Sequence, residues 1–261
     1  MSNAIARFED FWRRLPLADG QPSGYVHPDD EEALTERDRA CMQLKLLPLP
    51  VNGNLRSADV VILMLSPGFG ERDGLWGTPS SRSERLDSES ANVRQSRWKS
   101  DYPMFDLNPV LAGSGGAEYW AGPPGPMSGK LGHLAKALAL PVDTDHIEIR
   151  RELSNRIAIV QLVAYRSTAF KDLQSGQRKS GPPQRRLASS KEALLLARTL
   201  VEEQGKLVIV PYGIQHWGFT TQVAKKLIVY RRGLRQAFFA PTSPGYQQLL
   251  ATLRQSAPSI H

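Results

Sequence analysis

Three segments of this chain are apolar almost without interruption over the length of one strand: residues 60–65, 157–163 and 207–211. A strand with one face in water alternates apolar and polar residues. An unbroken run of Val, Ile and Leu instead marks a strand covered on both faces, the habit of parallel sheets flanked by helices. Residues 235–240 read as a fourth strand. Helical patterns lie between and around these runs. Ile5, Phe8, Trp12 and Leu15 recur at helical spacing, as do Leu131, Leu134, Ala135 and Leu138 behind a cap at Ser128. The plainest helix starts at Ser189, which forms a capping-box pattern with Glu192, and it stops at Gly205. A last helix follows Ser243, with Leu249, Leu250 and Leu253 on one stripe. Strands separated by helices predict an α/β fold of three layers, α/β/α, around a short, mainly parallel four-stranded sheet. No linker-like stretch divides the 261 residues, so one domain is expected. Residues 77–101 and 174–190 read as mobile surface insertions downstream of strand ends, where such folds hold ligands.

With 41% hydrophobic and 23% charged residues, the composition excludes a disordered or fibrous chain. The apolar runs are far short of the ~20 residues that cross a bilayer, so no membrane partner is expected. The start, MSNAIARFEDFW, lacks the cationic and then apolar pattern of a secretory leader. The single cysteine, Cys41, excludes an internal disulfide and fits a cytoplasmic location. A net charge of +7 favours a polyanionic partner. Its distribution says more than the total. Residues 171–191 hold six basic side chains against one acid, Asp172, and residues 225–235 hold five basic side chains and no acid. Acids crowd instead at Asp29, Asp30, Glu31, Glu32, Glu36 and Asp38. Lys179, Arg185 and Arg186 are therefore candidate phosphate contacts, and the alternative for each run is a solvated face.

Several motifs fail on inspection. GPPGPMSGKLG, residues 122–132, ends in Gly-Lys like a phosphate-binding loop, yet no strand leads into it and Leu131 replaces the required Ser or Thr. The five histidines are scattered with no paired spacing, so no metal and no cofactor is expected. No Gly-x-Ser-x-Gly elbow is present.

Three strand ends carry more distinctive chemistry. The first delivers Ser66-Pro67-Gly68-Phe69, a fixed bend beside a ring that can stack on a ligand. It is either a plain turn or the mouth of a site. The second, IAIVQLVAYRS, sets Gln161 inside an apolar strand and places Tyr165, Arg166 and Ser167 just past its end. A buried amide needs partners, and one facing a pocket can read the edge of a base. The third is the end of the strand at residues 235–240, which breaks at Pro241-Thr242-Ser243-Pro244 and feeds a helix, whose free N–H groups suit an anion.

In the order and setting of these elements the chain resembles the uracil-DNA glycosylase superfamily, over roughly residues 55–255. Ser66-Pro67-Gly68 resembles the turn in which that family carries Asp or Asn before proline. Gln161 falls near its base-reading Asn, Pro241-Thr242-Ser243-Pro244 resembles its His-Pro-Ser-Pro turn, and Tyr212-Gly213-Ile214-Gln215 resembles a Trp-Gly-x-x-Ala-Gln segment. A little-characterised bacterial branch is more similar still, through Asp106-Leu107-Asn108-Pro109, Tyr119-Trp120 and Ala164-Tyr165-Arg166-Ser167. The resemblance implies a uracil-DNA glycosylase-like fold and a DNA-binding protein with a nucleobase pocket, able to act as a glycosylase on an altered base. It implies catalytic positions at Ser66 and Thr242, with Asp73 and His216 as replacements for the missing carboxylate and imidazole. Glu71 and Asp106 are further replacements for the carboxylate. Base contacts fall to Pro67, Gly68, Phe69, Asn108, Gln161, Tyr165 and Arg166, and phosphate contacts to Ser243, Lys179, Arg185 and Arg186. The alternative is a catalytically inactive module of the same fold that binds a nucleotide, a modified base or a partner protein.

Overall fold

A computed structural model describes residues 3–17, 24–69, 79–95, 100–139, 146–168, 170, 186–202, 205–219, 226–230 and 239–255. In chain order its regular elements are α1 (Asn3–Arg13), α2 (Glu36–Cys41), β1 (Val51–Asn52), β2 (Val60–Met64), α3 (Pro79–Val93), α4 (Gly115–Trp120), α5 (Gly132–Ala139), α6 (His146–Arg156), β3 (Ile157–Gln161), α7 (Ala188–Glu202), β4 (Leu207–Val210), α8 (Ile214–Trp217), β5 (Leu227–Val229) and α9 (Tyr246–Gln255). Short 3-10 turns occupy Pro28–Ala33, Phe105–Leu107 and Pro109–Leu111.

The sheet is mixed and runs β1-β3-β2-β4-β5. β2 pairs in parallel with β3, from Val60 opposite Ile157 to Met64 opposite Gln161, and with β4 on its other side. β5 is parallel to β4, whereas β1 is antiparallel to β3. The unbroken apolar runs are explained by the two faces of this sheet. Val60, Ile62 and Met64 pack into one cluster with Leu134, Leu153 and Leu249 from α5, α6 and α9. Val61 and Leu63 enter a second with Phe8, Trp12, Leu196 and Leu200 from α1 and α7. Each such side chain, fully buried, contributes about 1.5–3 kcal/mol. Among the described residues no helix is long and apolar enough to cross a membrane.

Four expectations need correction. The sheet has five strands, because β1 spans only two residues and leaves no periodic signal. The fourth parallel strand is β5 rather than residues 235–240. β5 lies inside the second basic run, Phe239 and Ala240 form a turn, and residues 235–238 fall outside the described part. Much of the expected insertion at 77–101 is the helix α3. Its inward side escaped notice because it is polar: Ser88, Glu89 and Asn92 are buried beside Val93, and Asn92 Oδ1 accepts the Gly53 N–H at 2.9 Å. Finally, Ser189 does not cap α7. Its hydroxyl has no partner, its N–H donates to the Asp30 carboxylate at 3.0 Å, and Glu192 holds Arg7 instead. A carboxylate from another segment thus caps the helix.

That segment also buries His27, whose ring stacks on Phe11 with centroids 3.8 Å apart. Nδ1 accepts the Asp29 N–H and Nε2 lies 2.8 Å from the Phe11 carbonyl, which together fix one neutral tautomer. Burial lowers the imidazole pKa from its ordinary 6.5. The unfolded chain therefore takes up a proton that the folded chain resists. The stabilisation is complete above about pH 6.5 and is lost progressively as the pH falls below it. Urea titrations at pH 7.5 and pH 5 are expected to show a smaller pH-dependent loss for His27→Gln than for the natural chain.

Candidate functional site

The sheet order fixes where a ligand can enter. β2 is central among the parallel strands, and the chain moves from it to β3 on one side and to β4 on the other. Open α/β sheets bind ligands outside the carboxyl ends of strands at such a reversal. A cavity of about 460 Å³ lies there. Beyond β2 and β3 the two chains stay in contact. Leu162 N–H donates to the Met64 carbonyl and Val163 N–H to the Leu65 carbonyl, both at 2.9 Å, and Gly68 bridges Ser167. This pairing carries Ser66, Pro67, Gly68 and Phe69 to the same hollow as Gln161, Arg166 and Ser167. Tyr212, just past β4, and Tyr119 and Trp120, from α4, complete an aromatic lining. Tyr119 and Trp120 meet edge to face at 4.9 Å. Desolvation, with Tyr212 nearby, raises the Tyr119 hydroxyl pKa well above its ordinary value, so it stays a neutral donor.

Gln161 ends β3 in register with Met64, at the base of the cavity. It is 7% exposed, and its Oε1 is buried without a hydrogen-bond partner. Ser167 Oγ shares that condition. Buried polar atoms almost always find partners, so a side-chain amide left open at a cavity wall is one that a ligand can satisfy. Next to it stands a charged cluster. Arg85 from α3 and Arg166 both line the cavity, and both bind Glu89, at 2.9 and 2.6 Å. Two guanidinium groups thus share one carboxylate beside the cavity.

Asp106 also lines the cavity, 7% exposed. Its Oδ2 accepts from Asn52 Nδ2 at 2.7 Å, and Asn52 Oδ1 accepts the Phe105 N–H at 3.0 Å. The carboxylate lies against Gly116, where a Cβ would fall 2.2 Å from Oδ1.

Not every expected site residue reaches this hollow. Tyr165 precedes Arg166 but does not line the cavity. Its ring joins Val26, Leu34, Met42 and Leu187, and its hydroxyl donates to Asp30 at 2.7 Å. Tyr165 is thus a structural anchor away from the cavity wall. Asn108 caps the turn Pro109–Leu111 by accepting the Val110 N–H, and its amide donates to Glu84 at 3.3 Å. Thr242 is exposed and Ser243 donates to the Ala240 carbonyl; neither lines the cavity. His216 stands behind Phe170, edge to face at 5.4 Å, with only Phe170 of the pair on the wall. Arg186, the third expected phosphate contact, is ion-paired to Asp38 at 2.6 Å. Glu71, Asp73, Lys179 and Arg185 lie outside the described residues.

Reading the sequence missed Arg85, Glu89, Asn52 and Gly116. Arg85 and Glu89 carry a signal in their spacing of four on a helix, whereas the Asn52–Asp106–Gly116 contact joins segments too far apart for any local pattern. Among the described residues no group of three His, Cys, Asp or Glu side chains could hold a metal ion. No protein-family model, curated protein or solved structure matches the chain.

Proposed function

We propose that this cavity is a nucleobase pocket and that the protein binds DNA through it, with a three-layer, uracil-DNA glycosylase-like architecture. One observation carries the reading: Gln161, at the end of β3, lines an aromatic-walled cavity and its buried Oε1 has no hydrogen-bond partner. An amide offers a donor and an acceptor side by side, which complements the hydrogen-bonding edge of a base. Phe69, Tyr119, Trp120 and Tyr212 supply stacking surfaces, and Arg85 and Arg166 place guanidinium groups on the cavity wall for the sugar-phosphate chain. A base must leave its stack to enter, at a few kcal/mol, and stacking with edge contacts offsets that. The net charge of +7 adds affinity that weakens with salt.

Fluorescence anisotropy with 20-mer duplexes, matched or carrying one mispaired uracil or hypoxanthine, tests the reading. The mispaired duplexes are expected to bind more tightly, and Gln161→Ala to lower that affinity roughly 5- to 150-fold, as losing a two-bond base contact of about 1–3 kcal/mol should. Equal binding of matched and mispaired DNA, unchanged by Gln161→Ala, contradicts it.

A second reading, base binding without excision, draws support from the positions of His216 and Thr242. Neither lines the cavity, and a Ser66 hydroxyl cannot match a carboxylate against developing positive charge. Whether another group supplies that charge divides the two readings.

A further inference from the structure

We propose that Asp106 reads the sugar of the bound nucleotide: its carboxylate accepts a hydrogen bond from a 2′-hydroxyl, so the pocket prefers a ribonucleotide set in DNA to the matching deoxynucleotide. The inference rests on the nucleobase reading and deepens it, because it defines the altered nucleotide by its sugar as well as by its base.

Sheet register sets Asp106 beside the base contact. β1 is antiparallel to β3, with Asn52 opposite Ile159 and Val51 opposite Val160. Val51 and Val160 enter one core cluster and Ile159 the other, so Asn52 shares the Ile159 face. Gln161 lies two residues beyond Ile159 in the same strand and shares that face as well. Asn52 and Gln161 are therefore diagonal neighbours, about 7–8 Å apart. Asn52 Nδ2 donates to Asp106 Oδ2 at 2.7 Å, and Asp106 and Gln161 line one cavity. A base held by the Gln161 amide extends its sugar into the hollow that the carboxylate also faces.

The chemistry of the carboxylate selects its partner. An ionised carboxylate only accepts hydrogen bonds, and a guanidinium only donates them. Among the described residues lining the cavity, Asp106 is the one carboxylate, against Arg85 and Arg166. A deoxynucleotide inside a DNA strand has O3′ and O5′ bound to phosphorus and a ring oxygen without hydrogen. Its sugar therefore offers Asp106 no donor. The 2′-hydroxyl is the donor that a ribose within a chain adds, and it is the group by which proteins tell ribose from deoxyribose. Dinucleotide-binding α/β folds hold ribose hydroxyls on a carboxylate in the same way.

The residue is fixed in advance for such a bond. Asp106 is 7% exposed and Asn52 1%, and Asn52 Oδ1 is locked by the Phe105 N–H at 3.0 Å. Gly116 keeps room for the carboxylate, since a Cβ there would fall 2.2, 2.7 and 2.8 Å from Oδ1, Cγ and Oδ2. A carboxylate can accept about four hydrogen bonds, so holding Asn52 does not exhaust it.

Fluorescence anisotropy with the full chain and three 20-mer duplexes tests the proposal. Each duplex carries one uracil opposite guanine, on deoxyribose, ribose or 2′-O-methylribose. The ribose duplex is expected to bind roughly 10- to 150-fold more tightly than the deoxyribose one, the contribution of one hydrogen bond to a charged group. The 2′-O-methyl duplex has no donor at that oxygen and should bind no more tightly than the deoxyribose duplex. Asp106→Ala should bring the ribose-to-deoxyribose ratio to within about threefold of one. A merely structural loss would weaken both duplexes alike and leave the ratio in place, as is expected of Gln161→Ala. Equal binding of the ribose and deoxyribose duplexes, by a natural protein that still prefers both to matched DNA, overturns this proposal and leaves the nucleobase reading intact. So does a 2′-O-methyl duplex that binds as tightly as the ribose one, or a ratio that survives Asp106→Ala. Absence of base-dependent binding overturns both.

Discussion

Asp30→Ala is expected to be among the most destabilising single substitutions in this protein. Asp30 is fully buried. One carboxylate oxygen accepts the Tyr165 hydroxyl at 2.7 Å, and the other accepts the Ser189 N–H at 3.0 Å. Tyr165 in turn accepts the His27 N–H at 3.1 Å. The residue thus ties the turn Pro28–Ala33 to the chain beyond β3 and to the start of α7. Alanine strands two buried donors, at about 1–3 kcal/mol each, so the loss is roughly 2–6 kcal/mol. Thermal unfolding should show a melting temperature lower by on the order of 10 °C. A change under about 2 °C would mean that the network is dispensable. The Tyr165 hydroxyl pKa is raised well above its ordinary value by burial first and by Asp30 second, which keeps it a donor throughout the physiological range.

Gly116→Ala is expected to harm the site more than the fold. The added methyl would overlap the Asp106 carboxylate, so either α4 shifts or Asp106 turns and gives up its Asn52 bond. Overpacking of this kind costs about 1–3 kcal/mol. Calorimetry should register that loss, while affinity for a mispaired duplex should fall about 10-fold, as a loss of about 1.4 kcal/mol at the site would give. Unchanged affinity in a variant with a lowered melting temperature would show that the carboxylate position does not matter to binding.

The sequence was informative where burial is two-sided and least informative where polar side chains pair across long separations. β2, β3 and β4 announced themselves because both faces of the sheet are covered, which leaves no room for alternation. α3 did not, because it buries Ser88, Glu89 and Asn92 on specific partners, and hydrophobic periodicity is blind to those. The same split runs through the site. Ser66, Pro67, Gly68, Phe69, Gln161 and Arg166 line one cavity because two adjacent parallel strands end together and keep pairing past their ends. Tyr165 misled because its ring packs with Val26, Leu34, Met42 and Leu187 and its hydroxyl binds Asp30, contacts from distant segments that no local pattern reveals. Thr242 and Ser243 misled because a helix start after a strand-like run resembles a phosphate site wherever it lies, and here the strand beside β4 is Leu227–Val229. Asp30 and Asp38 sit in a stretch crowded with acids, where nothing local marks them as buried. Both are fully buried and bind Tyr165, Ser189 and Arg186, a role that only the tertiary contacts define.

The most direct test of the central claim is a crystal structure with a duplex carrying 2′-fluoro-2′-deoxyuridine opposite guanine. The electron-withdrawing fluorine opposes positive charge at C1′ and so keeps the glycosidic bond intact during data collection. The account predicts the uracil turned out of the helix, seated among Phe69, Tyr119 and Tyr212, with its polar edge in hydrogen-bond contact with the Gln161 amide. A uracil still stacked in its duplex, with the DNA lying on a surface away from the ends of β2 and β3, would contradict it.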